Sequence, residues 1–166
     1  MSGEIKIAVT VNGRQVDATV SPRLLLSDFL RDSLRLTATH VGCEHGVCGA
    51  CTILFDGQAA RSCLLFAAQL DGHNIWTLEG LSASGDIADL QDAFSRHHAL
   101  QCGYCTPGML IVAHDFLKAH PSPTAADIQQ GMSANLCRCT GYWHILDAVK
   151  EVAERRGRSP SVEDSE

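Results

Sequence analysis

Apolar and polar positions alternate over the first twenty residues. Ile5, Ile7, Val9 and Val11 share one face of an extended segment, and Val16, Ala18 and Val20 share one face of the next. A period of two marks a half-buried strand, and the intervening Asn12-Gly13 supplies the two left-handed residues of a type I′ turn. Residues 5–20 therefore read as a β-hairpin. The period then changes, because Leu24, Leu25, Leu26, Phe29 and Leu30 recur at helical spacing as far as Asp32. Thr52-Ile53-Leu54-Phe55, then Asp56-Gly57 and the stretch leading to Cys63, predict a second hairpin. A last short strand is predicted from Asn74 to Leu78. These elements form a small mixed sheet crossed by one helix.

From Ser82 onward the pattern is helical. Leu90, Ala93, Phe94 and His97 fit one helix. Met109, Val112, Ala113, Phe116 and Leu117 form a stripe that ends at His120-Pro121, where the residue before proline is pushed out of the helical region. Thr124 opens a Thr-x-x-Asp capping pattern with Asp127, and Ile128 and Met132 follow on one face. Tyr142, Ile145, Leu146, Val149 and Val152 mark a fourth helix. Four short helices with short connections imply a compact four-helix bundle. The fold class is thus α+β, a β-grasp domain over 1–80 followed by a helical domain over 81–156, with the boundary near Gly80 to Gly85. Residues 157–166 lack an apolar period and are expected to form a disordered tail.

Composition adds limits. The 166 residues are 45% apolar and 19% charged, with a net charge of −6, an ordinary globular balance. Lys and Arg are scattered apart from Arg155, Arg156 and Arg158, so nucleic acid is excluded as a partner. No stretch approaches the ~18 apolar residues of a membrane span. Met1-Ser2-Gly3-Glu4-Ile5-Lys6 shows no export signal, so a cytoplasmic protein is expected. In a reducing compartment the eight cysteines, at 43, 48, 51, 63, 102, 105, 137 and 139, point to metal ligation rather than to four disulfides.

Cys43, Cys48 and Cys51 are spaced C-x4-C-x2-C, and Cys63 follows on the predicted hairpin. This is the plant-type ferredoxin spacing for a [2Fe–2S] cluster. Three thiolates come from one loop, in which Gly42, Gly46 and Gly49 permit left-handed backbone and close approach of amide N–H groups to sulfur. A structural zinc site more often uses two separate short knuckles, so the spacing favours the cluster. His40 and His45 flank the loop, but four cysteines already complete the site.

Cys102-Gly103-Tyr104-Cys105 and Cys137-Arg138-Cys139 supply two further pairs. Thr106-Pro107 after one pair and Thr140-Gly141 after the other place both at predicted helix starts, with Thr106 as the expected N-cap. Helix starts favour anions, and Arg138 between two ligands is either a further cation for the site or a surface residue. A tetrathiolate zinc carries the same formal charge as an oxidised [2Fe–2S] centre, so this argument leaves the metal open.

The segments Gly42–Thr52, Gln101–Gly108 and Asn135–Tyr142 together resemble the small iron–sulfur subunit of the molybdenum hydroxylases, the xanthine oxidase and carbon monoxide dehydrogenase family. The resemblance runs from Ile5 to about Ala153, with all eight cysteines in place. It implies a plant-ferredoxin-like β-grasp domain and a helical domain, each with one [2Fe–2S] cluster. One would be held by Cys43, Cys48, Cys51 and Cys63, the other by Cys102, Cys105, Cys137 and Cys139. It implies further that Gln101 and Cys139 contact a pyranopterin. A large partner subunit would carry molybdopterin, as its cytosine dinucleotide, and a medium subunit FAD, in a dimer of heterotrimers. Electrons would leave molybdenum through the helical-domain cluster, then the β-grasp cluster, then reach FAD or another acceptor. This chain would contribute no substrate chemistry and no catalytic residue. Aromatic N-heterocycles are the favoured substrate class. The same relay in a carbon monoxide, aldehyde, purine or aromatic acyl-CoA oxidoreductase, a stand-alone ferredoxin and a zinc-stabilised interaction module are the alternatives.

Overall fold

The computed structural model describes residues 3–158. Strands β1 (Ile5–Val11) and β2 (Arg14–Val20) form the first hairpin, paired from Ile5↔Val20 to Val11↔Arg14. Its turn residues have φ of 51° at Asn12 and 76° at Gly13. Helix α1 starts at Leu26–Asp28 and continues as a π turn over Phe29–Ser33, burying Leu26, Phe29 and Leu30. The second hairpin is β3 (Thr52–Phe55) and β4 (Gln58–Arg61), and β5 (Asn74–Trp76) closes the sheet. The order is β2-β1-β5-β3-β4; β1 and β5 run parallel and the other neighbours antiparallel.

Five helices follow: α2 (Leu78–Ser84), α3 (Ala88–Arg96), α4 (Thr106–Ala119), α5 (Ala125–Met132) and α6 (Trp143–Arg158). The last four answer to the four predicted stripes; α2 was not foreseen. It occupies the Gly/Ser-rich stretch read as a boundary, and it is closed by Gly85 in the left-handed region at φ 86°. Gly80 is there for packing. A Cβ on it would lie 2.2 Å from Oδ1 of Asn12, which accepts from Thr77 N–H at 2.9 Å and so ties the first hairpin to the start of α2. The capping box at α5 forms as expected, with Thr124 Oγ1 accepting from Asp127 N–H and Asp127 accepting from Thr124 N–H. Helix α6 reaches Arg158, two residues into the stretch read as a tail; the rest of that stretch lies outside the described residues.

Strand β3 joins the two halves. Ile53 is buried with Phe29, Leu30 and Ile75 on the sheet side, whereas Leu54 is buried with Met109, Leu110 and Leu90 on the helical side. A strand covered on both faces reads as a continuous apolar run rather than an alternating one, which is what Ile53-Leu54-Phe55 shows.

Candidate metal centres

The first three cysteines lie on the loop between α1 and β3, and Cys63 on a single 3-10 turn, Ser62–Leu64, directly after β4. The loop is shaped by left-handed residues at Glu44 (φ 58°), Gly46 (79°) and Gly49 (77°). Gly42 departs from the expectation: it is not left-handed, and its role is close approach, since a Cβ there would sit 3.2 Å from Cys48 Sγ. Glu44 takes the left-handed position instead, which spacing alone did not reveal. The wound loop turns amides toward sulfur, and Cys48 N–H donates to Cys43 Sγ at 3.4 Å. N–H groups of Cys48, His45 and Val47 bring the Cys43 thiol down to about 6. Burial, aided by the neighbouring Cys51 sulfur, pushes Cys63 up to about 11.

The second set comes from two separate segments. Cys105 itself is the N-cap of α4, so Thr106 is the first helical residue and not the cap; its buried Oγ1 has no partner among the described residues. Cys137 and Cys139 do not sit at the start of α6. A left-handed pair, Gly141 (φ 65°) and Tyr142 (φ 69°), intervenes before Trp143. Thr140 organises this turn: its hydroxyl lies 3.1 Å from Cys137 Sγ and accepts from Tyr142 N–H at 3.1 Å. Burial opposes the Cys137 thiolate, but the Thr140 hydroxyl and the N–H groups of Thr140 and Cys139 outweigh it and lower its pKa. Cys105, beside Cys137, is pushed up to about 12, chiefly by burial.

All eight thiols are free, and neighbouring sulfurs associate in pairs: Cys102 and Cys139 lie 3.5 Å apart, and thiol hydrogen bonds link Cys43 with Cys48, Cys51 with Cys63 and Cys105 with Cys137. Two sulfurs sharing one tetrahedral metal at ~2.3 Å bonds lie about 3.7 Å apart. Among the described residues, no three His, Cys, Asp or Glu side chains converge as ligands of a single ion. A diiron core takes two thiolates per iron, and paired sulfurs suit that donor set.

The two sets meet at a tight junction. Leu136 N–H donates to Cys48 C=O at 2.9 Å. Asn135 is fully buried against Gly49 and Gly108: a Cβ on Gly49 would be 1.8 Å from Asn135 Oδ1, and one on Gly108 would be 2.3 Å from Gly49 C=O. His40, intermediate in exposure, stacks on Tyr104 at 4.6 Å with its Nδ1 2.8 Å from Tyr104 C=O, while Tyr104 O–H donates to Val41 C=O at 2.8 Å. His45, Arg138 and Gln101 are exposed, and Gln101 adjoins exposed Cys102. The bridging role of Asn135 was missed, because nothing local marks an asparagine two residues before a cysteine as buried.

Comparison with known proteins identifies the metal groups and the family. Residues 9–75 match the family described as "2Fe-2S iron-sulfur cluster binding domain", and residues 77–150 match "[2Fe-2S] binding domain". The chain is 53% identical over 156 residues to the nicotine 6-hydroxylase small subunit of Paenarthrobacter nicotinovorans, covering 94% of each chain. It is 53% identical over 150 residues to caffeine dehydrogenase subunit gamma of Pseudomonas sp. (strain CBB1), covering 89% of this chain and 90% of that one. Quinoline 2-oxidoreductase from Pseudomonas putida 86 contains a chain that superposes with a TM-score of 0.88 at 49% identity, over 95% of this chain and 99% of that one. This chain belongs to the small [2Fe–2S] subunits of the molybdenum hydroxylases, the electron-transfer chains of those oxidoreductase complexes.

Proposed function

We propose that Cys43, Cys48, Cys51 and Cys63 hold one [2Fe–2S] cluster and Cys102, Cys105, Cys137 and Cys139 the other. The observation that supports this is that each sulfur contact found joins two cysteines of the same set, Cys102 with Cys139 at 3.5 Å among them. When bound, each cluster takes up and releases one electron with little rearrangement of its atoms. The chain's own part is to hold the sulfurs, turn N–H groups toward them, exclude water at Cys51, Cys63 and Cys137, and fix the two sets against each other through Asn135 and Leu136. The division at about residue 80, into a ferredoxin-like β-grasp domain and a four-helix bundle made by α3–α6, belongs to the same reading.

The helical end faces the large molybdopterin-binding subunit. Cys102 and Cys139 are the exposed cysteines of that set, and the exposed Leu100, Leu136 and Trp143, the last 71% accessible, lie within four residues of one or the other along the chain. An apolar patch of this kind marks an interface. Gln101 and Cys139 contact the pyranopterin there, carried as its cytosine dinucleotide. The medium subunit carries FAD, the assembly is a dimer of heterotrimers, and it works in the cytoplasm. No helix among the described residues is long and apolar enough to cross a membrane. The relatives named for nicotine, caffeine and quinoline support an aromatic N-heterocycle as substrate.

Iron and acid-labile sulfide analysis of the purified assembly tests the cluster assignment. About four of each per small chain are expected; zinc in their place overturns it. Molybdenum and flavin analysis of the co-purifying chains tests the partners.

A further inference from the structure

Arg61 ends β4, two residues before Cys63, and reaches across the junction between the two metal centres. One guanidinium nitrogen donates to Thr52 Oγ1, beside Cys51, and the other donates to Ala134 C=O at 2.5 Å, on the segment that leads to Cys137. Thr52 passes the bond on, donating to Gly49 C=O at 2.6 Å within the first cysteine loop. Arg61 is half-buried, and among the described residues no carboxylate pairs with it. Asp115, which lines the same groove, accepts instead from Ala59 N–H at 3.1 Å. A partly desolvated guanidinium bonded only to neutral oxygens is a charge without its counterion. The two segments that it grips lead directly to Cys51 and to Cys137, one from each set of four cysteines, and each set is negative once it holds a cluster.

We propose that Arg61 is a positioning residue for both metal centres, a fixed cation that clips the Cys63 hairpin to the Cys137/Cys139 segment and raises the reduction potential of both clusters together. The inference rests on the assignment of two [2Fe–2S] clusters. Reduction adds one negative charge to a cluster, and a cation nearby favours the more negative state. Arg138, the cation that adjoins these cysteines in sequence, is exposed and makes no comparable bridge among the described residues.

The test is a potentiometric titration of the assembled complex, followed by low-temperature electron paramagnetic resonance, for wild type, Arg61→Gln and Arg61→Lys. Iron and sulfide contents of the wild type are measured first, so failure of the cluster assignment itself is seen separately. In Arg61→Gln both clusters become harder to reduce, by about tenfold in the equilibrium, or about 59 mV for one electron. Arg61→Lys keeps the charge and stays within about threefold of wild type. Full iron with unchanged potentials in Arg61→Gln, or a shift confined to one cluster, overturns the proposal. If Arg61→Gln purifies short of iron, Arg61→Lys decides: full iron with wild-type potentials supports a role for the charge, and iron loss there too means that the fork shape alone matters and overturns it.

Discussion

The two cysteine sets reach comparable chemistry by opposite constructions. The first is local, with three cysteines on one wound loop and the fourth on the turn just after the next hairpin, and the Cys43 thiol is held by main-chain N–H groups that bring it down to about 6. The second is assembled across two helices from pairs 32 residues apart at their nearest, counting from Cys105 to Cys137. There a side-chain hydroxyl, Thr140, does much of what backbone amides do in the first. A local set is robust to changes elsewhere in the fold, whereas a non-local set depends on how the helices pack. The first set also lends a surface to the second, because Gly49 and the carbonyl of Cys48 are the floor against which Asn135 and Leu136 lie.

The largest expected effects break this comparison outright. Cys63→Ser removes one spectroscopically distinct cluster and leaves the other, with iron falling from about four to about two per chain; simultaneous loss of both signals refutes the division into two sets. Gly49→Ala carries the opposite expectation. The position is left-handed, and a Cβ would meet Asn135 Oδ1 at 1.8 Å and Asn135 Cα at 3.0 Å, costs that together come to about 3–5 kcal/mol. Both clusters should fail to assemble, although only the first loop is altered. Gly103→Ala in the second set is the control. Gly103 is equally left-handed, but a Cβ there meets nothing within 4 Å, so about 1–2 kcal/mol is expected from backbone strain alone. Thermal unfolding and iron content of the two variants separate the cases.

The contrast also explains what was legible in the sequence. The 2Fe-2S character of the first domain was readable because it is written into spacing: three closely spaced cysteines with glycines between them suit a compact core. The hairpins were readable from Asn12-Gly13 and Asp56-Gly57, and α4 from its stripe, because each is a local pattern. Legibility failed where a residue's reason lies far along the chain. Helix α2 was hidden because Gly80 and Gly85 look like a linker, while Gly80 is small to admit Asn12, 68 positions earlier. The left-handed turn at Gly141-Tyr142 was hidden because Thr140 bonds to sulfur and main chain instead of capping α6. Asn135 and Arg61 were passed over because nothing local marks a residue that touches two segments at once.

A smaller effect sharpens the comparison. Thr140→Val keeps the shape of the side chain and removes the hydroxyl that serves Cys137 Sγ and Tyr142 N–H, each at 3.1 Å. A loss of about 1 kcal/mol in stability is expected, with a change in the potential of the second cluster only. An equal change in the first cluster would mean that the sets are not electronically separable, and redox titration followed by electron paramagnetic resonance reads each directly.

The smallest effect concerns the packing on which only the second set relies. Helices α3 and α6 are joined by a forked pair, with Arg156 donating to both carboxylate oxygens of Asp89 at 2.8 Å, and by Glu151, which holds Arg96 at 2.5 Å and His97 at 2.6 Å. Burial works against the ionised Asp89, but the Arg156 guanidinium outweighs it and holds the carboxyl below its usual range. A carboxylate depressed in the folded state contributes stability above its unfolded pKa of ~3.9 and loses that contribution as pH falls through the lower folded value. The groups are about one-third exposed, so solvent screening keeps the pair to about 1 kcal/mol or less. Wild type should therefore exceed Asp89→Asn in thermal midpoint at about pH 6, with the gap closing below about pH 4. Because α3 and α6 frame the second set alone, any iron released over that range in excess of the Asn variant's neutral-pH loss should come from the second cluster first. Earlier bleaching of the first cluster would show that the local loop, for all its backbone support, is the weaker of the two constructions.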